Sequence, residues 1–506
     1  MSTDNTFDFY DLAKECESLK VANKKIAHCH GVFDLLHIGH IRYLKEARSM
    51  CDALIVTLTP DRFVNKGPDR PAFGEDLRAE AVASLDVVDY VAINEWPTAV
   101  ETIKILKPDY YVKGPDYKEH SSDISGNIIF EEEAVQSVGG EMIYTSDITF
   151  SASNIINQHF SNYSGKQREF LDKLKKNYTI EQIIEYIESF QELDVLLIGE
   201  AIVDEYVFCN TIGKSGKEPV LVNRKISSEK YSGGICAVAN HVSDFCNHTN
   251  IITYLGEAEQ QKDFIVKSLN PNCELSVVLK PNSPTIKKTR FIDKYTGTKT
   301  LGVYDINDDL LESPEEAEVI SKMEKVVAKS DVVIVADYGH GLITSSIVQF
   351  LENKSRFLAV NTQLNAFNIG YHSISKYHSV DYICIHEGEL RHDYRNRTDS
   401  VENLVTDLSE KIKTDIIAIT RGKAGSLAYM KNDFFYCPAF ATKIVDRVGA
   451  GDTLLAITSL CFAAGVPADL TLFIGNLAAA QMVATTGTGM KLNKVSLIKY
   501  IESILK

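Results

Sequence analysis

The chain has 506 residues, 44% of them hydrophobic and 24% charged, with a formal net charge of −16 at pH 7. This length exceeds what one hydrophobic core usually covers, so two or more domains are expected. The acidic balance argues against a general affinity for nucleic acid or anionic membranes, while local basic pockets for phosphates stay compatible with it.

Strand and helix patterns alternate through residues 1–160, which we expect to form the first domain. "KIAHCHGVF" predicts a strand and a turn, "GHIRYLKEARSM" a helix, and "CDALIVTLT" a second strand. Farther along, "EDLRAEAVASL" and "TAVETIKIL" predict helices, and "VVDYVAI" and "PDYYVKG" predict strands. Such alternation implies parallel β-α-β units in a doubly wound sheet, whose ligands bind beyond the carboxyl ends of the strands.

Residues 161–190 are polar with apolar residues at helical spacing, so we predict a helical linker that packs on a domain. A second strand–helix series fills residues 191–506, from "LDVLLIGEAIVDEY" to the helical "GDTLLAITSLCFAAG" and "LTLFIGNLAAAQMVAT". Residues 205–231 and 285–304 interrupt it, and we predict that they form a small β lid over a site. The predicted fold class is therefore α/β, with two doubly wound parallel-sheet domains and a small β lid.

The cysteines and the first residues bear on the compartment. The ten cysteines contain no C-x-x-C pair, which favours reduced, buried thiols over disulfides or a zinc site. The acidic "MSTDNTFDFYDLAKECE" lacks the apolar stretch of a signal peptide, and no apolar run approaches the ~20 residues that a membrane span needs. We expect a cytoplasmic protein with no nucleic-acid or membrane partner.

Four histidines occur in "HCHGVFDLLHIGH". His37 and His40 share a face at the start of a predicted helix, where free N–H groups favour an anion. Gly39 lets a phosphate approach the backbone, and the two imidazoles could donate hydrogen bonds to a nucleotide α-phosphate. A metal site with His28 or His30 as a third ligand is the alternative, although no zinc-hydrolase pattern accompanies them. We interpret His28 and His30 as packing residues at the strand end.

"GVFDLLHIGHIRYLKEAR" resembles the H-x-G-H signature of the cytidylyltransferase-like nucleotidyltransferases. Class I aminoacyl-tRNA synthetases share H-I-G-H, but their K-M-S-K-S loop is absent here. "NKGPDRPAFGEDLRAEAVASLDVVDYV", "YVKGPDYK" and "TFSASNII" resemble, in order, segments of the nucleotidyltransferase half of bifunctional heptose kinase/nucleotidyltransferases, over about residues 25–157. The resemblance implies that His37 and His40 stabilise the transition state at the α-phosphate and that Lys66 neutralises triphosphate charge. The nucleotide-binding residues it implies are Gly31, Phe33, Gly39, Arg78, Lys113, Asp116, Ser151 and Ser153.

A second candidate site is "DRVGAGDTLLA", residues 446–456. Small residues before an apolar helical run let successive N–H groups converge into an anion hole, here at Gly449, Ala450 and Gly451. Asp452 lies in the same turn and could accept a proton from a substrate hydroxyl. A proton acceptor beside an anion hole suits phosphoryl transfer.

"GEAIVDEY", "YSGGICAVANHV", "VADYGHG", "ITRGKAGSL" and "GNLAAAQMVATTGTG" resemble segments of the ribokinase-like (phosphofructokinase-B) sugar kinases, over most of residues 193–495. The sugar-binding residues that this resemblance implies are Asp204, Gly233, Gly234, Asn240 and Asp337. The nucleotide-binding residues it implies beside the anion hole are Thr420, Arg421, Gly422 and Asn476. Glu389 is implied to act on Mg²⁺ indirectly, within "HEGE", where His386 replaces the family's asparagine. We hypothesise that Arg447 favours a phosphorylated sugar.

Together the two resemblances imply a bifunctional enzyme with reversed domain order relative to the heptose enzymes. It would phosphorylate a heptose-like sugar or sugar phosphate with ATP, and transfer a nucleotidyl group from CTP or ATP to a sugar phosphate, with Mg²⁺ as cofactor and a homodimer as the expected assembly. The alternative is a CTP-dependent cytidylyltransferase for a polyol or amino-alcohol phosphate, fused to the kinase that makes this phosphate. A third interpretation makes one half a catalytically silent binding module, because His386 and Pro115 depart from the family patterns.

Overall fold

The computed structural model of the chain describes residues 5–68, 70–118, 123, 126–146, 163–257, 261–484 and 492–506. The chain divides into two compact units: Met1–Tyr163 with Val495–Lys506 (unit 1), and Ser164–Lys494 (unit 2). Two differences from the expected domain limits follow, because residues 164–190 belong to unit 2 and residues 495–506 belong to unit 1. Within the described ranges, no helix has the length and apolar character needed to cross a bilayer.

Unit 1 contains a parallel sheet with helices between its strands. The strands are β1 (Thr6–Phe7), β2 (Ile26–Gly31), β3 (Ala53–Leu58), β4 (Tyr90–Ile93), β5 (Tyr110–Lys113) and β6 (Glu141–Tyr144). The helices are α1 (Phe9–Val21), α2 (Ile38–Arg48), α3 (Glu75–Ala83), α4 (Val100–Leu106), α5 (Asn127–Ser137) and, from Val495 onward, the final helix (Lys494–Leu505). The spatial order is β1-β4-β3-β2-β5-β6, and every neighbouring pair is parallel. The α/β prediction for this half is confirmed.

The carboxyl end of β2 is the point at which this sheet changes direction. β2 has β3 on one side and β5 on the other, so the connections on its two sides leave toward opposite edges. The six residues of β3 are all buried, and Ile26, Ala27 and Cys29 of β2 are also buried, as expected for strands covered on both faces. Ligands of such sheets bind at this switch point, and the segment that follows β2 carries His37 and His40.

Unit 2 contains a nine-stranded sheet and a separate four-stranded sheet. Its strands are β7 (Asp194–Gly199), β8 (Ala201–Lys214), β9 (Leu221–Gly234), β10 (His248–Gly256), β11 (Cys273–Lys280), β12 (Lys287–Asp293), β13 (Lys299–Asp305), β14 (Val332–Asp337), β15 (Leu358–Thr362), β16 (Tyr382–His386), β17 (Ile416–Thr420), β18 (Ser426–Met430) and β19 (Asp433–Cys437). The large sheet has the order β11-β10-β7-β14-β15-β16-β17-β18-β19. The small sheet, β13-β12-β8-β9, is called the lid sheet below. The two interrupting segments therefore do form one small β lid, as predicted.

The large sheet is mixed and not wholly parallel, because β17, β18 and β19 pair antiparallel. Only Lys431 and Asn432 connect β18 to β19, both with positive φ, the conformation of a two-residue hairpin turn. A connection this short cannot hold the crossover that a parallel pair requires.

The helices of unit 2 lie before, between and after its strands in the sequence. They are α6 (Gly165–Asn177), α7 (Ile180–Ser189), α8 (Ile235–Ser243), α9 (Lys262–Ser268), α10 (Ser313–Val326), α11 (Ser345–Lys354), α12 (Glu387–Asp393), α13 (Val401–Ile412), α14 (Ala450–Ala463) and α15 (Ala468–Val483). The segment expected to be a linker forms α6 and α7. The Phe170 ring of α6 lies 6.2 Å from the ring of Phe440 and 6.1 Å from that of Phe473, which explains why this segment belongs to unit 2.

Candidate functional site

The first site lies between the end of β2 and the start of α2. His37 is the N-cap of α2, and its Nδ1 accepts a hydrogen bond from the Gly39 backbone N–H at 3.1 Å. The rings of His37 and His40 stack with their centroids 4.0 Å apart. Phe33 reaches this turn with a φ of 49°, and its ring lies 5.4 Å from that of His40. The sequence thus folds so that both imidazoles meet at a helix N-terminus, where an anion is favoured.

Both imidazoles are neutral near pH 7. Burial lowers the pKa of His40 to about 3, with the charges of His37 and Lys66 adding to the effect, and burial also lowers the pKa of His37. The Nδ1 atom of His40 is buried, and it has no hydrogen-bond partner among the described residues. An orphaned polar atom inside a protein is costly unless a ligand satisfies it. His40 is therefore placed to hydrogen-bond an incoming group.

His28 and His30 serve the sheet instead of the site. The Nε2 of His28 and the Nδ1 of His30 both hydrogen-bond the Thr57 hydroxyl, at 2.7 Å and 2.8 Å, and His30 Nε2 also lies 3.2 Å from the Thr59 hydroxyl. Burial lowers the pKa of His28 to about 3. In the part of the chain that the structure describes, no three His, Cys, Asp or Glu side chains are arranged to hold a metal. The metal alternative for the four histidines has no support here.

Lysines stand around the same edge of the sheet. Burial lowers the pKa of Lys66, and nearby Asp34 opposes this effect. Lys113, at the end of β5, forms an ion pair with Glu131 at 2.7 Å. Burial lowers the pKa of Lys113, but the charge and hydrogen bond of Glu131, together with the charges of Tyr117 and Asp123, outweigh burial, so the pKa is raised. Asp34 accepts a hydrogen bond from the Ala72 N–H at 2.6 Å and so ties the turn after β2 to the loop before α3. Sequence reasoning missed Asp34 and Glu131, although Asp34 stands inside the quoted "GVFDLLHIGH".

Arg78 does not reach the site that the resemblance assigned to it. Its side chain is fully buried, and its guanidinium donates to the carbonyl oxygens of Phe73, Val32 and Thr59 and to the carboxylate of Asp61. Because these acceptors occupy the guanidinium, Arg78 fixes the loops around the site instead of facing a triphosphate.

The structure describes three of the other residues that were expected in the first site. Gly31 ends β2, and Gly39 donates to His37 as described. Asp116 lies on the exposed turn after β5. Ser151 and Ser153 lie outside the described residues.

The second site lies at the start of α14. Gly449 is the N-cap with a φ of 86°, and no described side chain caps this helix, so the first N–H groups of Ala450 and Gly451 stay directed at an incoming anion. Asp452 follows in the first turn, and its Oδ1 accepts a hydrogen bond from the Tyr338 hydroxyl at 2.9 Å. Burial raises the pKa of Asp452 to about 6, and the charge of Asp204 adds to this. A carboxylate with this pKa is well tuned for proton acceptance near neutrality.

The lid sheet delivers charged side chains to Asp452. Asp204 of β8 pairs with Arg290 of β12, and Lys288 on β12 lies opposite Asp204 in the parallel register. Burial lowers the pKa of Lys288, while the charge of Asp204 opposes this. A Cβ on Gly233 would lie 2.1 Å from Asp204 Oδ2, so only glycine leaves room for this carboxylate. Sequence reasoning predicted a site role for Asp204 and Gly233 but did not consider Lys288 and Arg290, which lie in "TIKKTRFID" without a motif around them.

Two residues expected to bind sugar are committed to the protein interior. Asp337 is 1% exposed; Lys376 pairs with it and the Tyr377 hydroxyl donates to it at 3.1 Å. The Asn240 amide donates to the Ser268 carbonyl at 3.1 Å and accepts from the Asn270 N–H at 3.0 Å. Both side chains organise turns. Gly234, also expected there, has a φ of 60°, and a Cβ on it would lie 2.2 Å from the Glu200 carbonyl oxygen.

The residues expected to bind nucleotide lie at the end of β17, in the turn that follows it, and on α15. Thr420 ends β17, and Arg421 after it pairs with Glu387 at 2.9 Å. Gly422 has a φ of 55°, which suits glycine in this turn. The Asn476 amide donates to the Ser426 hydroxyl at 2.6 Å.

Glu389 is held as a helix cap at the start of α12. Its two carboxylate oxygens accept the backbone N–H groups of His386 at 2.7 Å and Leu364 at 3.1 Å. Burial raises the pKa of Glu389 to about 7, and the charge of Asp452 adds to this. His386, which replaces the family's asparagine, is the N-cap of α12 and accepts from the Gly388 N–H at 2.9 Å. His386 therefore caps α12 in this chain.

Comparisons with known proteins match each of the two parts of the chain to a family. Residues 28–158 match the cytidylyltransferase-like family, and residues 193–494, more than half of the chain, match the pfkB family carbohydrate kinases. The bifunctional protein HldE of Aliarcobacter butzleri is 44% identical over 126 residues, which are 24% of this chain and 26% of that protein. The bifunctional protein HldE of Bradyrhizobium diazoefficiens is 26% identical over 304 residues, 58% of this chain and 60% of that protein. These relatives are thus matched over less than two thirds of their own length.

A solved structure supports the fold of unit 2. Phosphofructokinase-2 from Escherichia coli in complex with potassium aligns with a TM-score of 0.51 at 12% identity, over 62% of this chain and 99% of that one. The predicted order, with the cytidylyltransferase-like part first, is confirmed. The chain belongs to the pfkB family of carbohydrate kinases, and a cytidylyltransferase-like nucleotidyltransferase domain precedes its kinase domain.

Proposed function

We propose that unit 2 transfers the γ-phosphoryl group of ATP to a hydroxyl of a sugar or sugar phosphate. The observation that carries this proposal is Asp452, with a pKa of about 6, in the first turn of a helix whose leading N–H groups have no side-chain cap. Asp452 accepts the proton of the attacking hydroxyl, and the N–H groups of α14 stabilise the charge on the transferred group. The Tyr338 hydroxyl holds the carboxylate in place.

The lid sheet supports a negatively charged acceptor. Lys288 and Arg290 bring two cations to the neighbourhood of Asp204, and Arg447 lies on the exposed loop before α14. This set suits a sugar that already carries a phosphate. Arg447→Ala is expected to raise the KM for a sugar phosphate more than that for the free sugar, and equal effects on both would contradict this role.

The family implies Mg²⁺ in the kinase reaction. The described residues of unit 2 offer no set of three or more metal-ligating side chains, and both Glu389 oxygens accept backbone N–H groups. This arrangement fits an ion that keeps most of its waters and is held mainly by nucleotide phosphates, with Glu389 and Asp452 adding negative charge nearby. Bound there, Mg²⁺ would neutralise phosphate charge.

We further propose that unit 1 transfers a nucleotidyl group from an NTP to a sugar phosphate and releases pyrophosphate. The free Nδ1 of His40 at the start of α2 supports this step, because a neutral imidazole there donates to charge developing on the α-phosphate. Lys66 offsets charge on the leaving pyrophosphate. The acceptor is a heptose-like sugar phosphate with ATP or CTP as donor; the second candidate is a polyol or amino-alcohol phosphate with CTP, which the cytidylyltransferase-like match favours.

Pyrophosphate release with Mg²⁺ tests the two candidates. ATP and CTP are offered with a panel of sugar 1-phosphates and polyol phosphates. Turnover of a heptose 1-phosphate supports the first, and turnover only of CTP with a polyol phosphate supports the second. His40→Ala should abolish release while kinase turnover persists; full release from this variant would contradict the assignment.

The assembly and the compartment complete the proposal. Large apolar side chains are exposed on the lid sheet at Ile212, Leu221 and Leu301, which supports a homodimer formed through the lid. Leu221→Lys should then convert the dimer to a monomer in light scattering, and a monomeric wild-type protein would contradict the proposed dimer.

The ten cysteines are all free thiols, which supports a cytoplasmic setting.

A further inference from the structure

The final helix follows the kinase in sequence but is part of the nucleotidyltransferase unit. The kinase family match and unit 2 both end at residue 494, and Val495–Lys506 belong to unit 1. The kinase domain is therefore inserted between the main segment of the nucleotidyltransferase unit and its last helix. The last helix, more than 400 residues after the H-x-G-H motif in sequence, is therefore part of the same unit as the first site.

The final helix packs directly on the loop that carries Lys66. The next residue, Gly67, has a φ of 106°, and a Cβ there would lie 2.2 Å from the ring of Tyr500. The Tyr500 ring therefore lies against the Gly67 backbone, with Tyr500 itself 5% exposed and Leu497 and Ile501 of the same helix buried. A contact this close fixes the position of the helix relative to Lys66.

Lys499 precedes Tyr500, and its charge acts on that of Lys66. Burial lowers the pKa of Lys499, Asp123 and Glu502 oppose this, and Lys113 lowers it further. In turn, the charges of Lys506 and Lys499 add to the burial that lowers the pKa of Lys66. Within the described residues, neither Lys66 nor Lys499 forms a hydrogen bond or an ion pair. Unpaired, partly buried cations that repel one another are stabilised by a polyanion.

We propose that Lys499 completes the polyphosphate-binding site of the nucleotidyltransferase unit, acting with Lys66 on the β- and γ-phosphates of the NTP and on the departing pyrophosphate. This inference rests on the nucleotidyl transfer proposed above. Lys113 is neutralised by Glu131 at 2.7 Å, so Lys499 supplies charge that Lys113 cannot.

Hydrogen exchange of the full-length protein locates this binding, because it separates the first site from the kinase site. Inorganic pyrophosphate with Mg²⁺ is titrated, and protection is followed in peptides that cover α2 and the final helix, then repeated with CTP and ATP. Lys499→Met should raise the pyrophosphate concentration for half-protection of α2 about tenfold, since one charged hydrogen bond is lost. Lys499→Arg, which keeps the charge, should stay within about twofold.

A matched control and a folding check accompany the variants. Lys104→Met removes the same charge from α4, where Lys104 is exposed and pairs with Glu101 of its own helix, and it should change nothing. The urea midpoint of the fluorescence of Trp96, the one tryptophan of the chain, reports whether unit 1 stays folded. Lys499→Gln replaces Lys499→Met if the latter unfolds.

Each outcome decides between the two proposals. If pyrophosphate protects α2 in the wild type and Lys499→Met binds as tightly as Lys104→Met, the role of Lys499 is overturned while nucleotidyl transfer stands. If none of the three probes protects α2, the proposed function of unit 1 fails, and the role of Lys499 fails with it.

Discussion

A single carboxylate sets the pH response that we predict for the kinase. Burial raises the pKa of Asp452 to about 6 from its ordinary value, so the base is deprotonated above pH 6 and becomes protonated as the pH falls below it. The kinase rate should fall on the acid side with an apparent pKa near this value, measured as kcat/KM against pH with the acceptor that the substrate panel identifies. Asp452→Asn should lower kcat by about 10²–10⁴-fold, the usual contribution of a general base.

The control for this prediction removes an equivalent charge elsewhere. Asp433 is exposed at the edge hairpin between β18 and β19, and Asp433→Asn should leave rate and pH profile unchanged. An acid limb that persists unaltered in the Asp452→Asn variant would assign the titration to another group.

Arg78 allows a second test at the residue scale, because a structural and a ligand-binding role predict different measurements. Its guanidinium satisfies three carbonyl oxygens and Asp61 inside the protein, so Arg78→Met should lower the free energy of unfolding of unit 1 by about 3 kcal/mol or more. Urea unfolding followed by Trp96 fluorescence measures this. Lys45→Met, at an exposed position of α2, serves as the control. If Arg78→Met leaves the free energy of unfolding unchanged and raises the KM for the NTP, Arg78 binds the triphosphate and the structural role is wrong.

At the scale of elements, we predict that the lid sheet holds Asp204 in position for the phosphoryl acceptor only if residue 233 is glycine. A Cβ at Gly233 would lie 2.1 Å from Asp204 Oδ2, whereas nothing lies within 4 Å of a Cβ at Gly216 in the turn of the same sheet. Gly233→Ala should therefore displace Asp204 and raise the KM for the acceptor, while Gly216→Ala should not. Steady-state kinetics with fixed ATP compares them, and equal KM values would remove Asp204 from acceptor binding.

The elements of this protein were easier to predict than the partners of its side chains. Buried parallel strands such as β3 are continuous apolar runs bounded by turns, so the sequence marks them locally. Helix starts at His37 and Gly449 were likewise visible from small and capping residues. The hairpin at Lys431 and Asn432 lacks the glycine that usually marks such a turn, and the mixed edge was missed.

Side-chain partners depend on contacts across the sequence that no motif displays. Asp204 meets Arg290, 86 residues away, and Asp337 meets Tyr377, 40 residues away. The first contact holds Asp204, within β8, near the kinase site, and the second holds Asp337, at the end of β14, in the interior. Asn240 likewise follows a glycine pair yet bonds to the turn at Asn270. Motif resemblance alone could not separate these cases.

The whole molecule is joined in an unusual way, since the chain enters unit 2 after Tyr163 and returns to unit 1 at Val495. We predict that residues 1–163 alone form an incomplete unit, because Tyr500 covers Gly67 and because Ile498, Ile501 and Ile504 are buried in the intact protein. Burying a side chain of this kind is worth about 1.5–3 kcal/mol, so loss of the helix should lower the urea midpoint of Trp96 fluorescence in the fragment.

A synthetic peptide of residues 494–506 added in trans should restore part of that midpoint in a concentration-dependent manner, since it binds only the folded fragment. The same peptide with Tyr500→Asp should not, because a carboxylate cannot replace the ring against Gly67. A fragment 1–163 as stable as the intact protein would show that the final helix adds nothing to unit 1. If only the wild-type peptide restores the midpoint, the kinase is inserted into a folding unit. The last helix of that unit, which completes it, follows the kinase in the sequence.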